Sequence, residues 1–146
     1  MKLCSRFVFS PMLRPLIFGV LIAACLTSCQ ESEEAELERL EAALSSAESQ
    51  GSLNRTSHEL SLGLERKLKR LEDRMEKGLE GKELELFQKS AAAWKIYFES
   101  EWQFEAESFH GGSIQPMIAN SAATRLLAER IKGLEEWDTT GRFKAK

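Results

Sequence analysis

The sequence predicts an all-α protein: a small three-helix domain, a helical hairpin plus a third packed helix, placed after a signal peptide and an acidic tether. Three observations carry this. From residue 57 to 137 the apolar side chains recur at three- and four-residue spacing, the period of a helix with one face turned to a core. Glycines interrupt that period at Gly78–Gly81 and Gly111–Gly112, where they divide it into three segments. All three cysteines, Cys4, Cys25 and Cys29, lie in the first 29 residues, so no disulfide or thiolate metal cage can staple the domain that follows.

The N-terminal segment is distinct. Lys2, Arg6 and Arg14 precede an apolar run over residues 16–24, too short to span a bilayer at ~20 residues but suited to the hydrophobic region of a signal peptide. It ends in Leu26-Thr27-Ser28-Cys29, which resembles a bacterial lipobox. We therefore expect a signal peptide over 1–28 and lipidation of Cys29, with Cys25 the alternative. An acyl-bearing cysteine tethers a protein to a bilayer at ~0.8 kcal/mol per buried CH₂. Gln30, rather than an aspartate, follows Cys29, and the resemblance to enterobacterial lipoproteins then implies the outer membrane, facing the periplasm.

Residues 29–56 read as a lipidated acidic tether. Residues 30–50 hold seven Glu against Arg39, whereas residues 51–146 hold 16 basic and 16 acidic side chains. The charge belongs to the tether and the domain is neutral, so nothing marks a nucleic-acid-binding surface. Leu37, Leu40 and Leu44 have coiled-coil-like spacing but do not sustain a heptad pattern, which suggests a self-repelling spacer or a short zipper with a partner. Ser-Gln-Gly-Ser-Leu-Asn-Arg-Thr-Ser over 49–57 is loop chemistry and marks the domain boundary.

The first helix is expected from Ser57, as N-cap, to Gly78, with Leu60, Leu64, Leu68, Leu71, Met75 and Leu79 along one stripe. The second runs from about Lys82 to Phe109, with Leu84, Phe87, Ala91, Trp94, Phe98, Trp102 and Phe109 facing the core and Glu105 as the polar exception. Tyr97 and Phe104 widen that face toward a second neighbour. The third runs from about Ile114 to Trp137, with Ser113 as N-cap, Pro116 just inside, and Ile118, Ala122, Leu126, Leu127, Ile131 and Leu134 inward. Ala119, Ala122 and Ala123 are small enough for Trp94 and Trp102 to approach. Residues 138–146 should fray.

Enzymatic equipment is missing from the pattern. His58 and His110 are far apart in the chain, Gly111-Gly112-Ser113 lacks the Lys-Ser/Thr of a phosphate loop, and no ligand spacing suggests a metal or cofactor. Binding is the remaining class. Glu99, Glu101, Glu105 and Glu107 crowd the C-terminal turns of the second helix, where carboxylates oppose the helix dipole. Either Arg125 or Arg130 neutralises them, or Glu101, Glu105 and Glu107 form an acidic rim around His110, Gly111, Gly112 and Ser113 that meets a cationic partner.

One resemblance gives that partner a class. Gln88, Ala92-Ala93-Trp94, Tyr97, Phe104-Glu105-Ala106, Gly111-Gly112-Ser113-Ile114-Gln115-Pro116-Met117, Arg125-Leu126 and Glu129-Arg130 together resemble the LprI-type lysozyme inhibitor domain, over roughly the last 80 residues. The resemblance implies a small helical envelope protein that binds and blocks lysozyme, with Trp94, Tyr97, Pro116, Arg125 and Arg130 as its structural motif. Secreted animal-type lysozymes are strongly basic, which suits an acidic rim. The family pattern carries cysteines where Trp102 and Ala122 stand, so in this chain packing would replace a covalent staple. The rival expectation is a non-inhibitory periplasmic scaffold that uses residues 30–50 as spacer or zipper.

Overall fold

The structure, a computed structural model, describes residues 32–139. The expected signal peptide, the lipidation site Cys29 and the tail beyond Thr139 lie outside the described residues. The chain divides at Glu36/Leu37 into two units, and the fold below is that of the second. Four helices build it, and the described residues contain no strand: α1 (residues 32–45, of which 37–45 belong to this unit), α2 (Gln50–Gly78), α3 (Gly81–Glu107) and α4 (Gln115–Thr139). The class is all-α, with one helix more than the sequence suggests.

The extra helix comes from the segment read as a tether. Leu37 and Leu40 are buried and Leu44 half-buried, all in one core with Leu60, Leu64, Leu68, Leu71 and Met75 of α2 and Leu127, Ile131 and Leu134 of α4. Three leucines at helical spacing are too few to announce a coiled coil, yet they suffice to cover the α2 stripe from its far side. Gly63 makes this approach possible: a β-carbon there would stand 2.7 Å from Leu37 Cδ2.

Helix α2 begins seven residues before the expected Ser57. Ser49 is its N-cap: the Ser52 backbone N–H donates to Ser49 Oγ at 3.1 Å, and the Ser49 N–H donates to Ser52 Oγ at 3.2 Å. This reciprocal pair satisfies two donors that the first turn leaves orphaned. Ser57 is instead a buried mid-helix residue. Its hydroxyl donates to the Asn54 carbonyl at 3.1 Å and accepts from Asn120 Nδ2 of α4, also at 3.1 Å. Ser49, Ser52, Asn54 and Ser57 thus cap the helix and pair across it, so the boundary expected at 56/57 falls inside a continuous helix.

Two residues, Leu79 and Glu80, link α2 to α3, and Gly81 makes the turn at φ +56°, a backbone conformation that favours glycine. Helix α4 supplies the deepest side chains, with Ala122, Ala123, Leu126, Leu127, Ile131 and Leu134 all buried. Both α2 and α3 pack along it, and they barely meet each other. The hairpin of α3 and α4 with α2 laid on α4 is the expected architecture. Lys67–Glu135 and Arg74–Asp138, each at 3.0 Å, bind α2 to the C-terminal half of α4. Residue 138 is within α4, where fraying was expected.

Helix α3 is the exception in burial. Its stripe of Leu84, Phe87, Ala91, Trp94, Phe98 and Trp102 has the expected register but is only half-buried, and Ala106 is its one fully buried residue. The cause is that α3 leans on α4 with little support from α2. Trp94 stacks on Phe98, with ring centroids 5.0 Å apart, at the level of Arg130 rather than of the Ala119–Ala123 patch. Phe109, expected in the core, lies beyond the helix end and is exposed.

Candidate functional site

The turn between α3 and α4 is built by its glycines. Gly111 sits at φ +75°, and a β-carbon on Gly112 would stand 3.1 Å from the Phe109 carbonyl, which accepts the Gly112 N–H at 3.0 Å. Gln115 N–H then donates to the Gly112 carbonyl, so α4 starts at Gln115 and Ser113 falls in the turn, one residue too early to be the cap. Pro116 occupies the second helical position, where its missing N–H costs no intrahelical bond. Every residue from Glu107 to Ile114 is exposed. The turn is nevertheless braced: Gln115 Oε1 accepts the Gly111 N–H at 3.1 Å, and Asn54 Nδ2 of α2 donates to the Ser113 carbonyl at 3.3 Å. His110, Gly111, Gly112 and Ser113 are thereby presented at one tip.

The carboxylates beside the tip separate into two kinds. Glu105 forms an ion pair with Arg125, which also reaches Glu129 at 3.5 Å. One of the three proposed rim residues is therefore neutralised from α4. Glu107 stands 3.7 Å from His110 Nδ1 and is well exposed, and Glu101 is half-buried. Of the proposed rim, Glu107 stands at the tip, and Glu101 lies six residues further back along α3.

A second constellation gathers aromatic and arginine motif residues midway along the hairpin. The Arg130 guanidinium lies over the Trp94 ring at 5.7 Å, with Nη1 3.5 Å from Ser90 Oγ and Nη2 3.7 Å from Glu72 Oε1 of α2. Arg130 Nε and Nη2 and Glu72 Oε1 are buried atoms without a hydrogen bond. Burial pushes the Glu72 carboxyl above the usual glutamate range, and Arg130 offsets part of that rise. Trp94, Tyr97, Arg130, Leu134 and Trp137 line a shallow hollow of about 330 Å³. Next to it, Met75, Leu79, Leu86 and Phe87 wall an apolar groove of about 650 Å³ that shares Arg130 and Trp137. Arg125 and Arg130 serve different faces of α4, as their five-residue spacing requires.

Pro116 thus opens α4 just after the tip and Arg125 ties α4 to Glu105 of α3, while Trp94, Tyr97 and Arg130 line the hollow. The groove was not foreseen, because Met75 and Leu79 read only as α2 core residues. No cluster of His, Cys, Asp or Glu among the described residues could hold a metal ion, and no described helix is long and apolar enough to cross a membrane.

The sequence matches the family of the lysozyme inhibitor LprI over residues 20–134. The chain belongs to that family. Its members are inhibitors rather than enzymes, and the match spans α1 to α4, so the helix formed by residues 37–45 is part of the family's domain. No curated protein and no solved structure matches the chain.

Proposed function

We propose that this protein is a lipid-anchored envelope protein, held through Cys29, that binds and inhibits lysozyme with the tip between α3 and α4. Family membership supports the target class. The observation that supports the site is the tip itself: exposed over residues 107–114, braced by Asn54 and Gln115, and carrying Glu107 beside His110. A braced loop loses little conformational freedom on docking, which favours affinity. Backbone N–H groups and the Ser113 hydroxyl can donate to the carboxylates of a sugar-cleaving site, and the rim draws in a basic enzyme.

The test is inhibition of cell-wall lysis by a basic animal-type lysozyme, using the full chain at low and physiological salt. Dose-dependent inhibition is expected. The pair Glu101→Gln with Glu107→Gln should weaken it about tenfold at low salt, with the difference shrinking as salt screens the rim. Unchanged inhibition by the double variant would remove the rim from the mechanism. No inhibition by folded protein at either salt would favour the non-inhibitory interaction protein, for which the exposed face of α3 provides a surface.

A further inference from the structure

The groove beside Arg130 is apolar over most of its length and polar at one end. Met75 and Leu79 of α2, Leu86 and Phe87 of α3, and Leu134 and Trp137 of α4 wall it, with Arg130 and Ser90 at the polar end. Its volume of about 650 Å³ falls among small-molecule sites, which run from about 300 to 1,000 Å³. On α3 it extends from Ser90 back to Glu83, and on α4 from Arg130 on to Trp137, in each case two helical turns or about 10 Å. Leu86 and Trp137 are half exposed, so the groove is reached from solvent.

The polar end is short of acceptors. Only 16 % of the Arg130 side chain is exposed, yet its Nε and Nη2 donate to nothing among the described residues. Glu72 Oε1 stands 3.7 Å from Nη2, beyond hydrogen-bond distance, and is itself unpaired. Nη1 lies 3.5 Å from Ser90 Oγ, at the limit of a hydrogen bond. That spacing leaves a guanidinium N–H and a hydroxyl side by side, where both can donate to one incoming oxygen. A desolvated guanidinium with so few acceptors is costly until an acceptor arrives. Water would supply the hydrogen bond but leave the apolar walls wet.

A carboxylate on a single alkyl chain satisfies both ends at once. We propose that the groove binds a free fatty acid, its carboxylate between Arg130 Nη1 and Ser90 Oγ and its chain along Leu86, Phe87 and Leu134 toward Trp137. One carboxylate balances one guanidinium, and the two share a planar geometry. A phosphate head would bring more charge and further oxygens beside Glu72, and a cationic head would meet Arg130 with like charge. Glu83, at the far end, is exposed and keeps its charge in water. Ser90 lies about 25 Å along α3 from Glu107, so this site is separate from the tip and does not depend on lysozyme binding.

The test is equilibrium dialysis of radiolabelled decanoate against the full chain in phosphatidylcholine nanodiscs, with empty nanodiscs as the blank. Saturable binding at a single site is expected. Unlabelled decanol and decyltrimethylammonium, which keep the chain and change the head, should compete at least about tenfold more weakly than unlabelled decanoate. Arg130→Gln should weaken binding by at least about tenfold. Because Arg130 also joins three helices, Leu86→Asp is the second variant: it places a carboxylate on the path of the chain from an exposed position, and should weaken binding as much with helicity unchanged. No saturable uptake above the blank would overturn the site. Decanol competing as well as decanoate, or full binding by a folded Arg130→Gln, would overturn the role of Arg130 as the head site. Full binding by Leu86→Asp would overturn the placement of the chain.

Discussion

Arg130 is the residue on which three helices converge, and its surroundings define two measurable effects. Its guanidinium covers Trp94, touches Ser90 and faces Glu72 at 3.7 Å, so removing it strands a desolvated carboxylate. Arg130→Ala should cost about 2 kcal/mol in chemical denaturation, a figure below that of a fully buried pair because Glu72 keeps part of its hydration. Adding Glu72→Gln should recover much of the loss, and a double-mutant cycle reads the coupling directly. The sign of the pH effect follows from the raised Glu72 pKa. A folded-state pKa above the unfolded value gives stability that is present below the ordinary glutamate range and lost as pH rises through the raised value. The melting temperature of Glu72→Gln should therefore gain on the wild type as pH rises from that range toward neutrality. A constant difference across the range would show that the carboxylate is not desolvated. Neither residue advertised this role: Glu72 reads as a solvated helix charge, and Arg130 as one of two motif arginines.

At the scale of elements, sequence periodicity located α3, α4 and the end of α2 to within about two residues, because each keeps an apolar stripe over many turns. It failed where polar residues do structural work. The run from Ser49 to Ser57 was legible as loop chemistry, and the same serines and asparagines that favour loops here cap a helix and join α2 to α4. Ser49→Ala should cost about 1 kcal/mol, the ordinary value of an N-cap, measured by thermal or chemical unfolding. Residues 37–45 failed for the opposite reason: three leucines amid glutamates look like a spacer until Gly63 offers a surface close enough to bury them. Leu40→Ala should destabilise by about 2–3 kcal/mol, as for a buried leucine, whereas a spacer residue would show no change.

For the whole molecule, the consequence is an uneven distribution of stability. Helices α1, α2 and α4 share one core, while α3 is attached by half-buried aromatics and the Glu105–Arg125 ion pair. The all-α class and the glycine turn were legible because they rest on local spacing, whereas the brace from Asn54 of α2 was not. The exposure of α3 was not, because the stripe of Phe87, Trp94 and Phe98 has the same sequence period whether one neighbour covers it or two. Amide protection follows buried contact, so at low concentration α3 should exchange hydrogen faster than α2 and α4, and mass spectrometry of its peptides reads this directly. Uniform protection would mean that α3 is held as firmly as the core helices, despite its half-buried stripe.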